Sequence, residues 1–242
     1  MTLPERIVPL SSGENIIIQQ EAGGSGKTGM AVWNSGLLMT RVVQALATST
    51  SSSSWFSQQE SVLELGCGTG LVSIACHRLG IPMVLATDGN PDVLRLAGEN
   101  IRSNKESSST TEKKYIETKV LQWGLLNAMD FSEAADLVLG ADLTYNSGTW
   151  RVLAESMESV LKPNGTVLYL SLGHEGFNVN AEVDGFLSVA QQVGLVSISE
   201  LGGVDISKLV SSILSTSERN QLRLSGGVRL VALQRKELRK NL

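Results

Sequence analysis

From Ser61 onward, short apolar runs alternate with longer stretches of helical spacing: Val62 to Leu65, Leu71 to Leu79, Met83 to Thr87 and Asp92 to Ser103. Runs of four to six residues have the length of strands buried on both faces, and stretches with apolar positions three and four apart suit the helices that cover them. This alternation predicts a βαβα unit. The pattern continues with strands at Glu117 to Leu121 and Asp136 to Ala141, a helix at Thr149 to Leu161 and a strand at Thr166 to Leu172. A helix at Ala181 to Val193 and strands at Leu195 to Glu200 and Val228 to Gln234 complete it. The fold class is therefore α/β, with a doubly wound, mostly parallel sheet of seven strands. No strong helix separates the last two strands, although Ile206 to Leu214 has the spacing to pack as one, and an antiparallel final strand would accommodate this.

Before Ser61 the pattern is weaker. Arg6 to Leu10 and Asn15 to Gln20 are β-like runs around Ser11-Ser12-Gly13, and Ser35 to Ala47 has helical spacing. Residues 1–54 are expected to form a hairpin and helix extension packed on the core, ending in the Ser/Thr tract Thr48 to Ser54, which reads as a mobile linker. Residues 55–242 then form the main body of a single domain. Ser103 to Lys114 is polar and serine-rich and reads as a long loop, and the basic tail Arg235 to Leu242 reads as a solvated end.

Composition narrows the classes. A chain of 242 residues with 42% apolar content suits one domain with a sizeable core. The net charge of -4 gives no basic field to draw the protein onto nucleic acid or anionic lipid, so neither is an expected partner. Two cysteines, Cys67 and Cys76, are too few for a disulfide framework. No apolar stretch of signal-peptide or membrane-spanning length is present, so the expected location is cytoplasmic, with the nucleus also open to it. A monomer is expected. No His/Cys/carboxylate cluster has metal-ligand spacing, and no metal is expected.

The strongest local chemistry lies in V-L-E-L-G-C-G-T-G, Val62 to Gly70, where an apolar strand runs through three glycines into a helix. Glycines there permit positive φ and bring a ligand against bare backbone N–H groups at a helix N-terminus. The second strand ends in Asp88, placed to accept hydrogen bonds from a ribose diol. An adenosine-bearing cofactor is implied; an empty strand-to-helix turn is the plain alternative. A dinucleotide fingerprint would need glycine at position 71, which is Leu71. Tyr115 and Lys119 match the Y-x-x-x-K spacing of short-chain dehydrogenases but fall in a strand-like run. Gly23 to Thr28, G-G-S-G-K-T, imitates a phosphate loop but has Glu21 where that loop needs glycine.

Taken together, Glu64 to Gly70, Asp88, Trp123 and Asp142-Leu143-Thr144-Tyr145 resemble the seven-β-strand S-adenosylmethionine-dependent methyltransferases. More narrowly, V-W-N-S-G, L-Q-W-G and G-A-D-L-T-Y resemble the family-16 group that contains protein-lysine methyltransferases. The resemblance covers about Val32 to Leu172. It implies a Rossmann-like sheet of order 3-2-1-4-5-7-6 with the last strand antiparallel, and S-adenosyl-L-methionine as cofactor. It further implies cofactor-binding roles for Trp33, Glu64, Gly66, Cys67, Gly68, Asp88, Trp123 and Ala141, and puts the D-x-x-Y motif of the catalytic site on Asp142 and Tyr145. Cys67 departs from the alanine or serine usual in such loops. Asp88-Gly89-Asn90 is similar to members directed at elongation factors, which makes a translation factor one candidate substrate.

In an open sheet of this type the ligand lies past the carboxyl ends of the strands where strand order reverses, so Gly66 and Asp142 should face one crevice. Methyl transfer from a sulfonium is an in-line displacement that depends on alignment and exclusion of water. The expected function is N-methylation of a lysine in an intracellular protein. Alternatives are a small-molecule amine methyltransferase, a histidine methyltransferase, a hydride-transfer enzyme, or a module that binds cofactor or partner without turnover. Each site residue also has a structural reading: Asp142 as a cap or strand-end bond, Tyr145 as packing, Trp33 and Trp123 as core aromatics. His174 follows the fifth strand near the crevice and reads more simply as a loop residue; His77 reads as structural or exposed.

Overall fold

The computed structural model describes residues 4–21, 28–51, 53–105, 114–124, 129–173, 178–214 and 226–236. The central sheet contains β3 (Ser61–Leu65), β4 (Met83–Asp88), β5 (Tyr115–Val120), β6 (Ala135–Ala141), β7 (Leu161–Leu172), β8 (Leu195–Ile198) and β11 (Val228–Arg235). Their order is β5-β4-β3-β6-β7-β11-β8, which is 3-2-1-4-5-7-6 in the sheet's own numbering. The first five strands are parallel, and β11, last in the chain, runs antiparallel to both β7 and β8. Two small antiparallel pairs stand outside it: β1 (Glu5–Pro9) with β2 (Asn15–Gln19), and β9 (Glu200–Leu201) with β10 (Val204–Asp205).

Helices cover both faces. On one face lie α1 (Asn34–Thr48), α3 (Leu71–Arg78), α4 (Pro91–Ser103) and α7 (Ile206–Ile213), packed with Val62, Val84, Leu137 and Leu168 in one core. On the other lie α5 (Trp150–Val160) and α6 (Val179–Gln192), packed with Leu63, Leu85, Val138 and Val167. Adjacent strand residues thus enter opposite cores, and every residue of β3 is buried. A sheet covered on both sides explains why its strands read as continuous apolar runs.

Several elements differ from their sequence outline. The expected linker Thr48 to Ser54 begins in the last residue of α1 and ends inside a short helix, α2 (Ser53–Ser57), which buries Phe56. Five residues are too few for a helical period to register. The run expected to end at Glu200 breaks at Ser199, where the chain turns into the β9–β10 pair. β7 begins at Leu161 rather than Thr166, across Lys162-Pro163-Asn164-Gly165, with Asn164 at φ 65° and a register shift on its partner β6. Turn-type composition concealed that extension.

The β1–β2 hairpin is fastened by side chains that act as a substitute strand. On α4, Asn100 Oδ1 accepts from Gln19 N (2.8 Å) and its Nδ2 donates to Gln19 O (3.0 Å). One turn on, Asn104 Oδ1 accepts from Ile17 N (3.0 Å) and its Nδ2 donates to Ile17 O (2.7 Å). Asn100 Nδ2 also donates to Thr69 O of the glycine turn (3.0 Å), tying the hairpin to that turn. Because Asn100 is fully buried, Asn100→Ala leaves these backbone groups without their partner. The expected loss is about 2–4 kcal/mol of unfolding free energy in a denaturant titration, and a loss below about 0.5 kcal/mol would count against the clamp.

Candidate active site

At the carboxyl edge of the sheet, β3 leads away to β4 on one side while β6 lies on the other, and a cavity of about 670 Å³ opens at this switch point. Small-molecule sites are typically about 300–1,000 Å³. Its wall includes Trp33, Glu64, Gly66, Cys67, Gly68, Asp88, Trp123, Ala141, Asp142 and Tyr145, so all ten residues singled out from the sequence meet in one place.

The glycine turn has left-handed φ at Gly66 (64°), Gly68 (53°) and Gly70 (82°). Space is as restrictive as torsion: a Cβ on Gly66 would fall 2.7 Å from Leu143 Cδ2, and one on Gly68 would fall 3.2 Å from Gly29 O. Asp88 closes the turn, with Oδ2 accepting from Gly68 N (3.3 Å) and Oδ1 from Asn90 N (3.0 Å). Burial raises its pKa, and those backbone hydrogen bonds partly oppose the rise. Cys67 is buried, and loss of solvation holds its thiol well above the usual range, so it is a neutral packing group.

Glu64 points into the base of α3, where Gly70 at the N-cap has no side chain to offer. Its Oε2 accepts from Ser73 N (2.9 Å) and from Ser73 Oγ, supplying the missing cap. Burial pushes its pKa up to about 8, with the Ser73 hydrogen bonds opposing and the Asp88 charge adding to the rise. The folded chain therefore binds more protons than the unfolded chain between pH 4.5 and about 8. Stability from this group is greatest below pH 4.5 and falls as pH rises through about 8. Glu64→Gln keeps an acceptor for Ser73 but does not ionise. Its melting temperature should gain on wild type as pH rises through that window, and a constant difference would refute the assignment.

Asp142 follows β6 in a left-handed conformation, φ 60°. Its N–H donates to Leu170 O (2.7 Å), and its Oδ1 accepts from Leu172 N (3.2 Å) and lies 3.4 Å from Ser171 Oγ. The strand-end bond and a place in the cavity wall thus coexist in one carboxylate. Tyr145 and Trp33 are not core aromatics: they are 70% and 55% exposed while lining the cavity. Trp123 is half-buried against the α5–α6 core.

Sequence reasoning missed part of the wall: Thr28 and Gly29 line it from the N-terminal side and Val93 from α4, while Ser35, Gly36, Asn90, Leu121 and Gln122 stand in the quoted motifs but gain their place in the wall only from the structure. Gly29 lies so close to α4 that a Cβ would sit 2.9 Å from Val93 Cγ1, a close approach that its glycine-rich neighbourhood hinted at. Most of the phosphate-loop imitation, Gly23 to Lys27, and His174 lie outside the described residues. Tyr115 and Lys119 lie on strand β5, not on a helix, and neither lines the cavity. Among the described residues no helix is long and apolar enough to cross a membrane.

Comparison with known proteins identifies the family. The family described as lysine methyltransferase matches residues 11–177. Protein-lysine N-methyltransferase EFM3 of Chaetomium thermophilum is 28% identical over 193 residues, 70% of this chain and 54% of that protein. EEF1A lysine methyltransferase 3 of Xenopus tropicalis is 28% identical over 165 residues, 66% of this chain and 64% of that protein. The chain spans about half the length of most of the curated relatives it matches. Among solved structures, a TehB-like SAM-dependent methyltransferase from Corynebacterium glutamicum has a TM-score of 0.52 at 15% identity, covering 86% of this chain and 90% of its own. The [4+2]-cyclase SpnF has the same score, 0.52, at 13% identity, covering 88% and 87%. A likeness shared with a cyclase establishes the fold and leaves the chemistry to the site. The family match runs from the hairpin turn through the glycine turn, Asp88 and the D-L-T-Y segment, well over half of the chain, and on that basis the chain belongs to the lysine methyltransferase family.

Proposed function

We propose that the protein is an S-adenosyl-L-methionine-dependent N-methyltransferase acting on a lysine of a protein, and that a translation factor is its acceptor. One observation carries the reading: Asp142 and Tyr145 share a single cavity with the glycine turn and Asp88, so a nucleophile and a nucleoside cofactor can meet there. Names among the relatives, EEF1A lysine methyltransferase 3 included, support the acceptor class. The residues fit the cofactor by kind: a carboxylate at a strand end for a ribose diol, bare glycine backbone, and Val93, Leu121 and Trp123 as apolar surface for a purine.

When bound, the cofactor supplies an electrophilic methyl on a sulfonium. Asp88 would hold the ribose, the glycine turn would admit the chain of the cofactor against its backbone, and Trp33 would close the N-terminal side. A lysine amine enters past Tyr145, whose exposed ring forms a wall and attracts the cationic product. An amine of pKa about 10.4 in water loses its proton more readily in a dry slot beside a positive charge. Asp142 orients the amine through its N–H groups; Oδ1 is already fixed by Leu172 N, which sets the plane of the carboxylate. Acid–base work is not required of either residue.

The test is incubation of the protein with methyl-labelled cofactor and a cell extract, with proteins and small molecules counted separately. Label on a discrete protein band at lysine supports the reading and identifies the acceptor. Label confined to small molecules would transfer the assignment to a small-molecule amine methyltransferase, and cofactor binding without any label would leave a binding module.

A further inference from the structure

We propose that Glu182, on the first turn of α6, is a positioning residue for methyl transfer, holding the Asp142–Tyr145 segment in place through a directed hydrogen-bond chain. The inference rests on the methyltransferase reading of the cavity, but its geometry is independent of it. Behind the segment, Leu143 N and Thr144 N both donate to Tyr169 Oη, each at 3.2 Å. Those two donors occupy the acceptor sites of the phenol, so its own proton goes to Thr144 Oγ1, 2.6 Å away. Thr144 Oγ1 must then donate its hydrogen elsewhere, and Glu182 Oε1 receives it. The same Oε1 accepts from Ser171 Oγ (3.1 Å), which also lies 3.4 Å from Asp142 Oδ1. Glu182 is the terminal acceptor of the chain.

The remaining polar atom of Thr144 is held as well, because Trp150 Nε1 donates to Thr144 O at 2.7 Å. Gly185, one turn from Glu182, admits that indole: a Cβ there would fall 2.7 Å from Trp150 Cζ3. One face of α6 thus serves the segment twice, by an acceptor and by a gap. Thr144, Tyr169 and Ser171 are all buried, so water cannot replace a lost partner cheaply. Burial also pushes the Tyr169 phenol up to about 12, which keeps it a donor at any working pH. Asp142 needs such support because non-glycine residues at φ 60° persist only when their surroundings over-determine them. A chain anchored on Glu182 supplies that restraint without touching substrate or cofactor.

The experiment pairs hydrogen exchange with steady-state kinetics in Glu182→Ala, Glu182→Gln and Thr144→Val. Glu182→Ala should speed exchange at the amides of residues 143–145 while leaving the glycine turn protected. It should lower kcat roughly 10–100-fold with the KM for S-adenosylmethionine unchanged within about twofold. Glu182→Gln keeps an acceptor oxygen and should restore most of the rate. Thr144→Val cuts the same chain from the other end, so it should match Glu182→Ala, and the double variant should be no worse than either. Wild-type kcat in Glu182→Ala, no rescue by glutamine, or additive losses in the double variant would overturn the proposal. If the wild-type protein transferred no methyl group while the exchange response remained, the assigned reaction would fall and the tether would stand.

Discussion

Asp142→Ala should reduce methyl transfer roughly 100-fold or more while leaving S-adenosylmethionine affinity within about threefold, because the residue aligns the acceptor amine and alignment errors near 1 Å are that costly. Alanine at this position removes two things at once. It loses the carboxylate, and it places a residue with no polar side chain at φ 60°, where the Oδ1 bond to Leu172 N now stabilises the turn. Asp142→Asn separates them, since an amide oxygen can still accept from Leu172 N while the negative charge is gone. If asparagine retains most of the rate, geometry is what the site requires. If it is as slow as alanine, the charge beside the amine is required. Turnover unchanged in both variants would remove Asp142 from the active site altogether.

Asp88→Ala should weaken cofactor binding by about 1–3 kcal/mol, roughly 5–150-fold in Kd, the usual scale for losing a charged hydrogen-bond acceptor. Calorimetric titration reads it directly. Asp88 also bonds Gly68 N and Asn90 N, so part of the loss comes from a looser glycine turn. Asp88→Asn keeps one acceptor oxygen and should fall between wild type and alanine. The negative charge at Asp88 also helps raise the pKa of Glu64, so the stability decline near pH 8 should move to lower pH in either variant. An unchanged Kd in Asp88→Ala would reject the ribose assignment.

Legibility in the sequence followed distance along the chain. The glycine turn, its strand and its helix occupy consecutive residues, and Asp88 ends the next strand, so spacing alone brought them into view. In the sequence Glu64 stands only as a cofactor contact that the resemblance implies. Its bond to Ser73, nine residues on, makes it the cap of α3, a role that the glycine at the N-cap creates. The surface role of Trp33 and Tyr145 was open in the sequence, since an aromatic next to an apolar run packs inward as readily as it lines a mouth. The wall at Thr28 and Gly29 went unseen because the contacts of Gly29 with Val93 and Gly68 join segments that share no local pattern.

The sequence by itself determined the α/β class, the strand-to-helix rhythm and the local chemistry at Gly66 and Asp88. Hydrophobic period and backbone torsion act over a few residues, and they leave their mark in consecutive letters. Tertiary structure alone decided which polar groups meet: Asn100 with Gln19 across 81 residues, Thr144 with Tyr169 across 25, and Glu182 with Thr144 across 38. Serine, threonine, asparagine and glutamate are at home on any surface, and a hydrogen bond between two of them forms only where packing has first brought them together and excluded water.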